Sequence, residues 1–239
     1  MPDLQIAADS GDSAVTVLIA AGGTGGHVFP GLAVAENLRE KNDSVIWLGT
    51  PTGIEARVVP ASDIPIQFIN VLGVRGKKVL DWLKAPWLML FAVFAAIRLI
   101  RQYQVSVVLG MGGYVSVAAG IAAILLRKPL VLQEQNAVAG TANKLLAPFA
   151  RTIFTGFDSV FAERRNAQWS GNPLRKAFVD GLSKRRSNDE SHFNIFIVGG
   201  SLGAHALNSV LPKAIELLRN TLADEQLIQV LHQTGKAEL

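Results

Sequence analysis

Residues 14–32 read AVTVLIAAGGTGGHVFPGL, and the order of residue types in this stretch decides the fold. Ala14–Ala20 is a continuous apolar run, the pattern of a strand buried on both faces of a parallel sheet. Four glycines follow, at 22, 23, 25 and 26, around Thr24. Glycine turns tightly and lets a ligand approach the backbone. Gly31–Lys41 then has the apolar spacing of an amphipathic helix. Strand, glycine turn and helix in this order open a βαβ unit. The helix N-terminus offers free N–H groups and the positive end of its dipole to whatever sits in the turn.

The rhythm continues downstream. Ser44–Gly49, Pro65–Val71, Val105–Leu109, Leu130–Gln133 and Thr152–Thr155 read as strands. Ile54–Ala61, Leu80–Gln102, Val115–Arg127 and Thr141–Pro148 read as helices, the second broken near Pro86. Such alternation predicts an α/β fold with a doubly wound, parallel, Rossmann-like sheet. Gly181–His192 (GLSKRRSNDESH) is polar and charged and reads as a linker. Beyond it, Phe193–Val198, the turn GGSLGA, a helix at His205–Leu222 and a strand at Leu227–His232 open a second domain of the same kind. The expected organisation is a disordered tail at 1–13, a first domain at 14–180, a linker at 181–192 and the start of a second domain at 193–239. Roughly fifty residues fall short of an ordinary domain, so a longer parent protein is expected.

Composition narrows the class. Of 239 residues 49% are hydrophobic and 18% charged, enough apolar surface for a sizeable core. There is no cysteine, which excludes disulfides and thiolate metal sites. A net charge of +4 and a pI near 9.5 favour anionic partners. The 22 residues Val105–Leu126 carry no charge and are long enough to span a membrane. Glycines 110, 112, 113 and 120 favour a buried strand, a turn and a helix from about Tyr114 instead.

Five motifs carry chemistry. In AAGGTGGHVFP (20–30) the glycine loop suits a diphosphate or an acceptor hydroxyl, or is simply a tight turn. A dinucleotide fingerprint from Gly23 would need glycine where Val28 stands, and no acidic residue ends the second strand. No GK[ST] follows, so a P-loop is excluded. His27 is open to three roles: base, phosphate-orienting group or loop cap. GMGGY (110–114) is a second glycine turn after a strand. QEQNAVAGTAN (133–143) clusters Glu134, Gln135 and Asn136 where side chains can bond sugar hydroxyls. SGNPLR (170–175) sets a rigid Asn-Pro turn before Arg175, whose planar fork suits phosphate. GGSLGA (199–204) repeats the first loop's logic, with Ser201 as a phosphate contact. The absence of D-x-D, HExxH and G-x-S-x-G argues against metal-held nucleotide sugars, zinc hydrolases and serine esterases.

GGTGGHVFPGLAVAENL, GIEARVVP, GMGGYVS, EQN-x-x-AG-x-x-N, GNPLR and GGSLGA stand in an order that resembles the MurG family. These are UDP-N-acetylglucosamine transferases acting on undecaprenyl-diphospho-muramoyl-pentapeptide (lipid I). The resemblance covers about residues 14–239. It implies a GT-B fold, in which two Rossmann-like domains flank the active site. It also implies inverting transfer of N-acetylglucosamine to the muramoyl 4-hydroxyl, in peptidoglycan synthesis. By motif it implies that Thr24, Gly25, Gly26, Asn136, Arg175 and Ser201 contact UDP-GlcNAc. His27 is the implied catalytic or acceptor-side residue, and Tyr114 and Glu134 line the acceptor side. No metal, cofactor or nucleic acid is implied. The place implied is peripheral, on the cytoplasmic face of the bacterial inner membrane. Gln133 stands where the family usually has histidine, and Leu202 where it has glutamine. Alternatives are another GT-B nucleotide-sugar transferase, or an inactive membrane-bound fragment.

Val74–Trp87 (VRGKKVLDWLKAPW) combines Arg75, Lys77, Lys78 and Lys84 with Leu80, Trp82, Leu83 and Trp87. Basic and aromatic residues together suit an anionic leaflet. The apolar run Trp87–Ile97 is short against the ~20 residues needed to span. Docking without spanning is therefore expected.

Overall fold

The computed structural model describes residues 14–70, 79–182, 192–199, 204–221 and 227–235. The chain divides into two units, Met1–Asp180 and Gly181–Leu239. The tail expected at 1–13 lies outside the described residues, as do Val74–Lys78 of the basic patch and the side chains of Val79–Lys84.

The first unit alternates strands and helices as β1 (Thr16–Ala20), α1 (Gly25–Glu40), β2 (Ser44–Gly49), α2 (Glu55–Val58), β3 (Ile66–Phe68), α3 (Val79–Gln102), β4 (Val107–Gly110), α4 (Gly113–Leu125), β5 (Leu130–Glu134), α5 (Thr141–Leu146), β6 (Thr152–Thr155), β7 (Ala167–Trp169) and α6 (Lys176–Leu182). The strands form one sheet in the order β3-β2-β1-β4-β5-β6-β7, and every adjacent pair is parallel. The order reverses between β1 and β4, the kind of switch point outside which ligands bind in doubly wound sheets.

Both sheet faces are covered, which is why β1 is apolar at every position. Val17, Ile19, Val45, Trp47 and Leu109 face Val28, Leu32 and Ala35 of α1. Leu18, Ala20, Ile46, Leu48, Val108 and Leu132 face α3 and α4 on the other side. Trp47 is fully buried, and its indole N–H donates to the Ala21 carbonyl at 2.9 Å. Gly31 makes room for that ring, since a Cβ there would lie 2.7 Å from Trp47 Cη2. The apolar run Val105–Leu126 resolves into β4, a glycine turn and the buried helix α4, as expected.

Four elements differ from the sequence reading. Helix α1 starts at Gly25, not Gly31, because the Thr24 carbonyl accepts from the His27 and Val28 amides and Pro30 is accommodated early in the helix. Helix α3 runs through Pro86 without a break. A mid-helix proline costs about 3 kcal/mol, but Ala92, Val93, Ala96, Leu99 and Ile100 all join the core, and their burial outweighs it. The short strand β7 and helix α6 lie where the sequence reading assigned no element, and α6 continues to Leu182, into the expected linker.

Among the described residues, one helix is long and apolar enough to cross a membrane, α3 over Ala85–Gln102, with mean hydropathy 1.4. Its inner face belongs to the core of the sheet, so spanning would dismantle that core. Its outer face exposes Trp87 (66%), Leu90, Phe91 (66%) and Phe94 (59%).

The second unit contains β8 (His192–Val198), α7 (His205–Thr221) and β9 (Leu227–Gln233), with β8 and β9 parallel. Asn208 donates from Nδ2 to the Thr234 carbonyl at 2.9 Å.

Candidate active site

The loops after β1, β4 and β5 meet at the carboxyl end of the first sheet. In the first loop Thr24 is extended, with φ −122° and ψ 152°, and it starts α1. Gly23 has φ +89°, a left-handed conformation that favours glycine. The Gly23 amide donates to Glu55 Oε2 at 3.1 Å. The amide and hydroxyl of Thr50 donate to Glu55 Oε1 at 2.8 and 2.7 Å. Glu55 is completely buried. Gly25 and Gly26 are the first two residues of α1, where N–H groups have no partner within the helix.

His27 joins the first loop to the second. Its Nδ1 lies 3.4 Å from Thr24 Oγ1, and the half-buried imidazole rests over Gly112. A Cβ on Gly112 would stand 2.8 Å from His27 Nε2, and the φ of +108° there also requires glycine. The GG of GMGGY is thus the floor on which the histidine sits. Ser116, fully buried in α4, locks this floor to β1. Its hydroxyl accepts from the Gly112 amide at 2.9 Å and lies 2.7 Å from the Ala20 carbonyl that it can donate to. Tyr114, the second residue of α4, is 39% exposed.

The third loop is organised by Glu134, which is only 1% exposed. One carboxylate oxygen accepts from the Asn136 amide and side chain at 3.0 and 2.9 Å. The other accepts from the Gly140 amide and Asn143 Nδ2, both at 2.9 Å. With four donors on it, the carboxylate faces inward, and Asn136 is the exposed polar side chain that its loop presents, beside Val138. Gln135 Nε2 donates to the Met111 carbonyl at 3.2 Å and so ties this loop to the second.

Asn172 fastens SGNPLR to the same place. Its Nδ2 donates to the Gln135 carbonyl at 3.1 Å, and its side-chain oxygen accepts from Gln133 Nε2 at 3.5 Å. Gly156 lacks the Cβ that would collide with the Asn172 amide. Arg175 then lies between two aromatic rings, 5.1 Å from the Phe29 centroid and 5.3 Å from that of Phe178. Phe29 belongs to α1, so the circuit closes on the first loop.

The sequence motifs at 20–30, 110–114, 133–143 and 170–175 are therefore neighbours in space, and Ser201 lies outside the described residues. Sequence reasoning assigned no role to Glu55, Ser116 or Asn172. Glu55 left one trace, an acid within the apolar segment GIEARVVP.

Comparison with known proteins bears on this geometry. Residues 17–155 match the glycosyltransferase family 28 N-terminal domain, and residues 194–239 match the family's C-terminal domain. The crystal structure of Acinetobacter baumannii MurG is similar at 37% identity and a TM-score of 0.69, over 93% of this chain and 69% of that one. The chain belongs to the MurG family. A relative from Nitrosococcus oceani is 45% identical over 228 residues, and one from Alkalilimnicola ehrlichii 48% identical over 225. Both carry the name UDP-N-acetylglucosamine--N-acetylmuramyl-(pentapeptide) pyrophosphoryl-undecaprenol N-acetylglucosamine transferase. This member of the MurG family spans 62% of the length of each of those two relatives. The doubly wound sheet is thus that of a GT-B glycosyltransferase, as the motifs led one to expect.

Proposed function

We propose that the protein carrying this chain transfers N-acetylglucosamine from UDP-GlcNAc to the muramoyl 4-hydroxyl of lipid I, with inversion, in peptidoglycan synthesis. The observation that carries the reading is the seating of His27 over Gly112, where the glycine loops after β1 and β4 meet beside the switch point of the sheet. The names of the relatives supply the substrates.

The acceptor hydroxyl oxygen attacks the anomeric carbon, the bond from that carbon to UDP breaks, and UDP leaves with the electron pair. His27 is the candidate to take the hydroxyl proton. The other three histidines, 192, 205 and 232, belong to the second unit. The first-turn amides at Gly25 and Gly26 and the Arg175 guanidinium are suited to the negative charge that grows on the diphosphate. Phe29 and Phe178 restrict the Arg175 fork before substrate arrives. Asn136 and Ser201 complete the proposed donor contacts. Tyr114, 39% exposed at the start of α4, is the candidate hydroxyl for the acceptor side, and Glu134 serves that side through the loop it shapes. Incubating the whole protein with UDP-GlcNAc and a lipid I analogue tests this. Release of UDP with formation of the disaccharide is expected. UDP release to water alone, or use of a different acceptor, refutes it.

Membrane docking belongs to the same reading. Trp87, Phe91, Phe94, Arg98 and Arg101 follow one another at helical spacing of three and four along α3, and all five are exposed. This stripe follows, in sequence, the basic and aromatic segment at 74–87, and it suits an anionic leaflet on the cytoplasmic side. Co-sedimentation with anionic vesicles is expected, weakened by high salt and lost in Trp87→Ser/Phe91→Ser. Binding indifferent to lipid charge and to both substitutions removes the assignment.

A further inference from the structure

We infer that Glu55 is a positioning residue: by holding the Gly23 amide it sets the conformation from which Thr24 and His27 are presented to substrate. The inference rests on the reading of the first glycine loop given above.

Glu55 is completely buried, in a helix of four residues. Among the described residues no cation pairs with it. A buried acid is a costly way to close a turn, so its hydrogen bonds must be worth making. Three donors converge on it, and they have different reach. Those from Thr50 are local, five residues away. A polar group serving only the turn after β2 would need no more than this. The third donor, Gly23, is 32 residues away, on the loop after the neighbouring strand β1. That bond ties the ends of β1 and β2 together at the mouth of the site.

The surrounding backbone is shaped to receive the carboxylate. A Cβ on Gly22 would lie 2.6 Å from Glu55 Oε1, and one on Gly49 would lie 2.6 Å from Glu55 Cγ. A Cβ on Gly53 would collide with the carboxylate itself. Three segments thus give up a side chain for one acid. The residue it holds, Gly23, has a positive φ, and no heavy atom lies within 4 Å of where its Cβ would stand. The space beside Gly23 is open, and its amide is held by the bond to Glu55. The next residue, Thr24, starts α1 and touches His27.

The test uses the whole protein and the Glu55→Gln variant, which keeps an acceptor for Thr50 but turns an amide nitrogen toward the Gly23 N–H. We expect kcat to fall about tenfold to a hundredfold, with the melting temperature lowered by no more than about 4 °C. In a cycle with His27→Ala, the double variant should transfer no more slowly than His27→Ala alone, within about twofold, because both changes remove the same presented group. Exchange of the Gly23 amide, read by NMR, should speed up at least about tenfold, since its bond to Glu55 no longer protects it. Losses that multiply in the double variant, or transfer by Glu55→Gln close to that of the parent, overturn the inference. If His27→Ala itself transfers normally, the functional reading of the loop falls, and the inference is then decided by the Gly23 amide: unchanged exchange sinks it. Should Glu55→Gln fail to fold, Thr50→Val removes one donor without burying a new one. A fall in kcat of about threefold to tenfold is expected for it, and an unchanged kcat with unchanged Gly23 exchange counts against the inference.

Discussion

Glu55 and Glu134 are both buried acids, and each organises a loop at the carboxyl end of the same sheet. They differ in reach. All four donors to Glu134 lie within nine residues of it, so the third loop closes on itself. Glu55 draws on two donors of one neighbour, Thr50, and on one residue from another strand's loop, so the first glycine loop depends on the packing of β1 against β2. A loop closed by its own residues stores its shape locally. A loop held from outside can be disturbed by changes far along the chain. The polar cluster around Glu134 marked that residue as a site candidate, whereas Glu55 sits within an apolar segment.

The largest effect expected is on what the first loop presents. His27→Ala should lower kcat by about a hundredfold or more if the imidazole takes the hydroxyl proton, with the melting temperature unchanged because the ring is only half-buried. Steady-state transfer with lipid I and thermal unfolding check this, and near-normal turnover removes His27 from the mechanism.

The next sharpens the comparison of the two acids directly. Glu134→Ala leaves four donors without their acceptor, two of them on the Asn136 residue. Each buried donor left unpaired costs about 1–3 kcal/mol. Denaturant unfolding should show a loss of about 3 kcal/mol or more. Equal losses for Glu134→Ala and Asn136→Ala would show that the exposed asparagine, and not the acid, holds the loop.

A smaller effect is expected at the fourth motif, which borrows Phe29 from the first loop's helix. Arg175→Lys loses the planar fork between Phe29 and Phe178, and donor affinity should fall about tenfold. Calorimetry with UDP-GlcNAc reads this out. An unchanged affinity places the diphosphate elsewhere.

The smallest effect is expected away from both loops. Lys176 Nζ lies 2.9 Å from Glu40 Oε1, and both side chains are largely exposed. The hydrogen bond and charge of Glu40 raise the lysine above its ordinary value of 10.5. A raised folded-state value contributes stability that is complete below the unfolded value and fades as pH rises through the folded one. Lys176→Met should therefore barely change unfolding at pH 7, as solvent screening dictates, and the difference from the parent should vanish in alkali beyond 10.5. A large loss at neutral pH would show that the α1–α6 contact matters to the site.

Sequence legibility followed the same division between local and distant causes. The strands β2 and β6 have the bounds that alternation and turn chemistry suggested. Gly112 and Gly113 were legible as a turn, but the reason Gly112 admits no side chain is the His27 ring, 85 positions earlier in the chain. Asn172 gave no signal beyond an Asn-Pro turn, because its partners Gln133 and Gln135 come from another strand's end. Pro86 was read as a break on local grounds, and the core-facing residues from Ala92 to Ile100 overruled it.

By itself, the sequence determined the alternating α/β order, the buried strands and the glycine loops, because apolar periodicity and glycine's conformational freedom act over a few residues. Its motifs were also specific enough to place the chain in its family. Only the tertiary structure decided that the acid at Glu55 reaches Gly23, that Ser116 and His27 share the backbone of Gly112, and that Arg175 lies between Phe29 and Phe178. Those contacts join segments whose separation along the chain is set by whole βα units, and parallel strand pairing brings them together only after those units have packed.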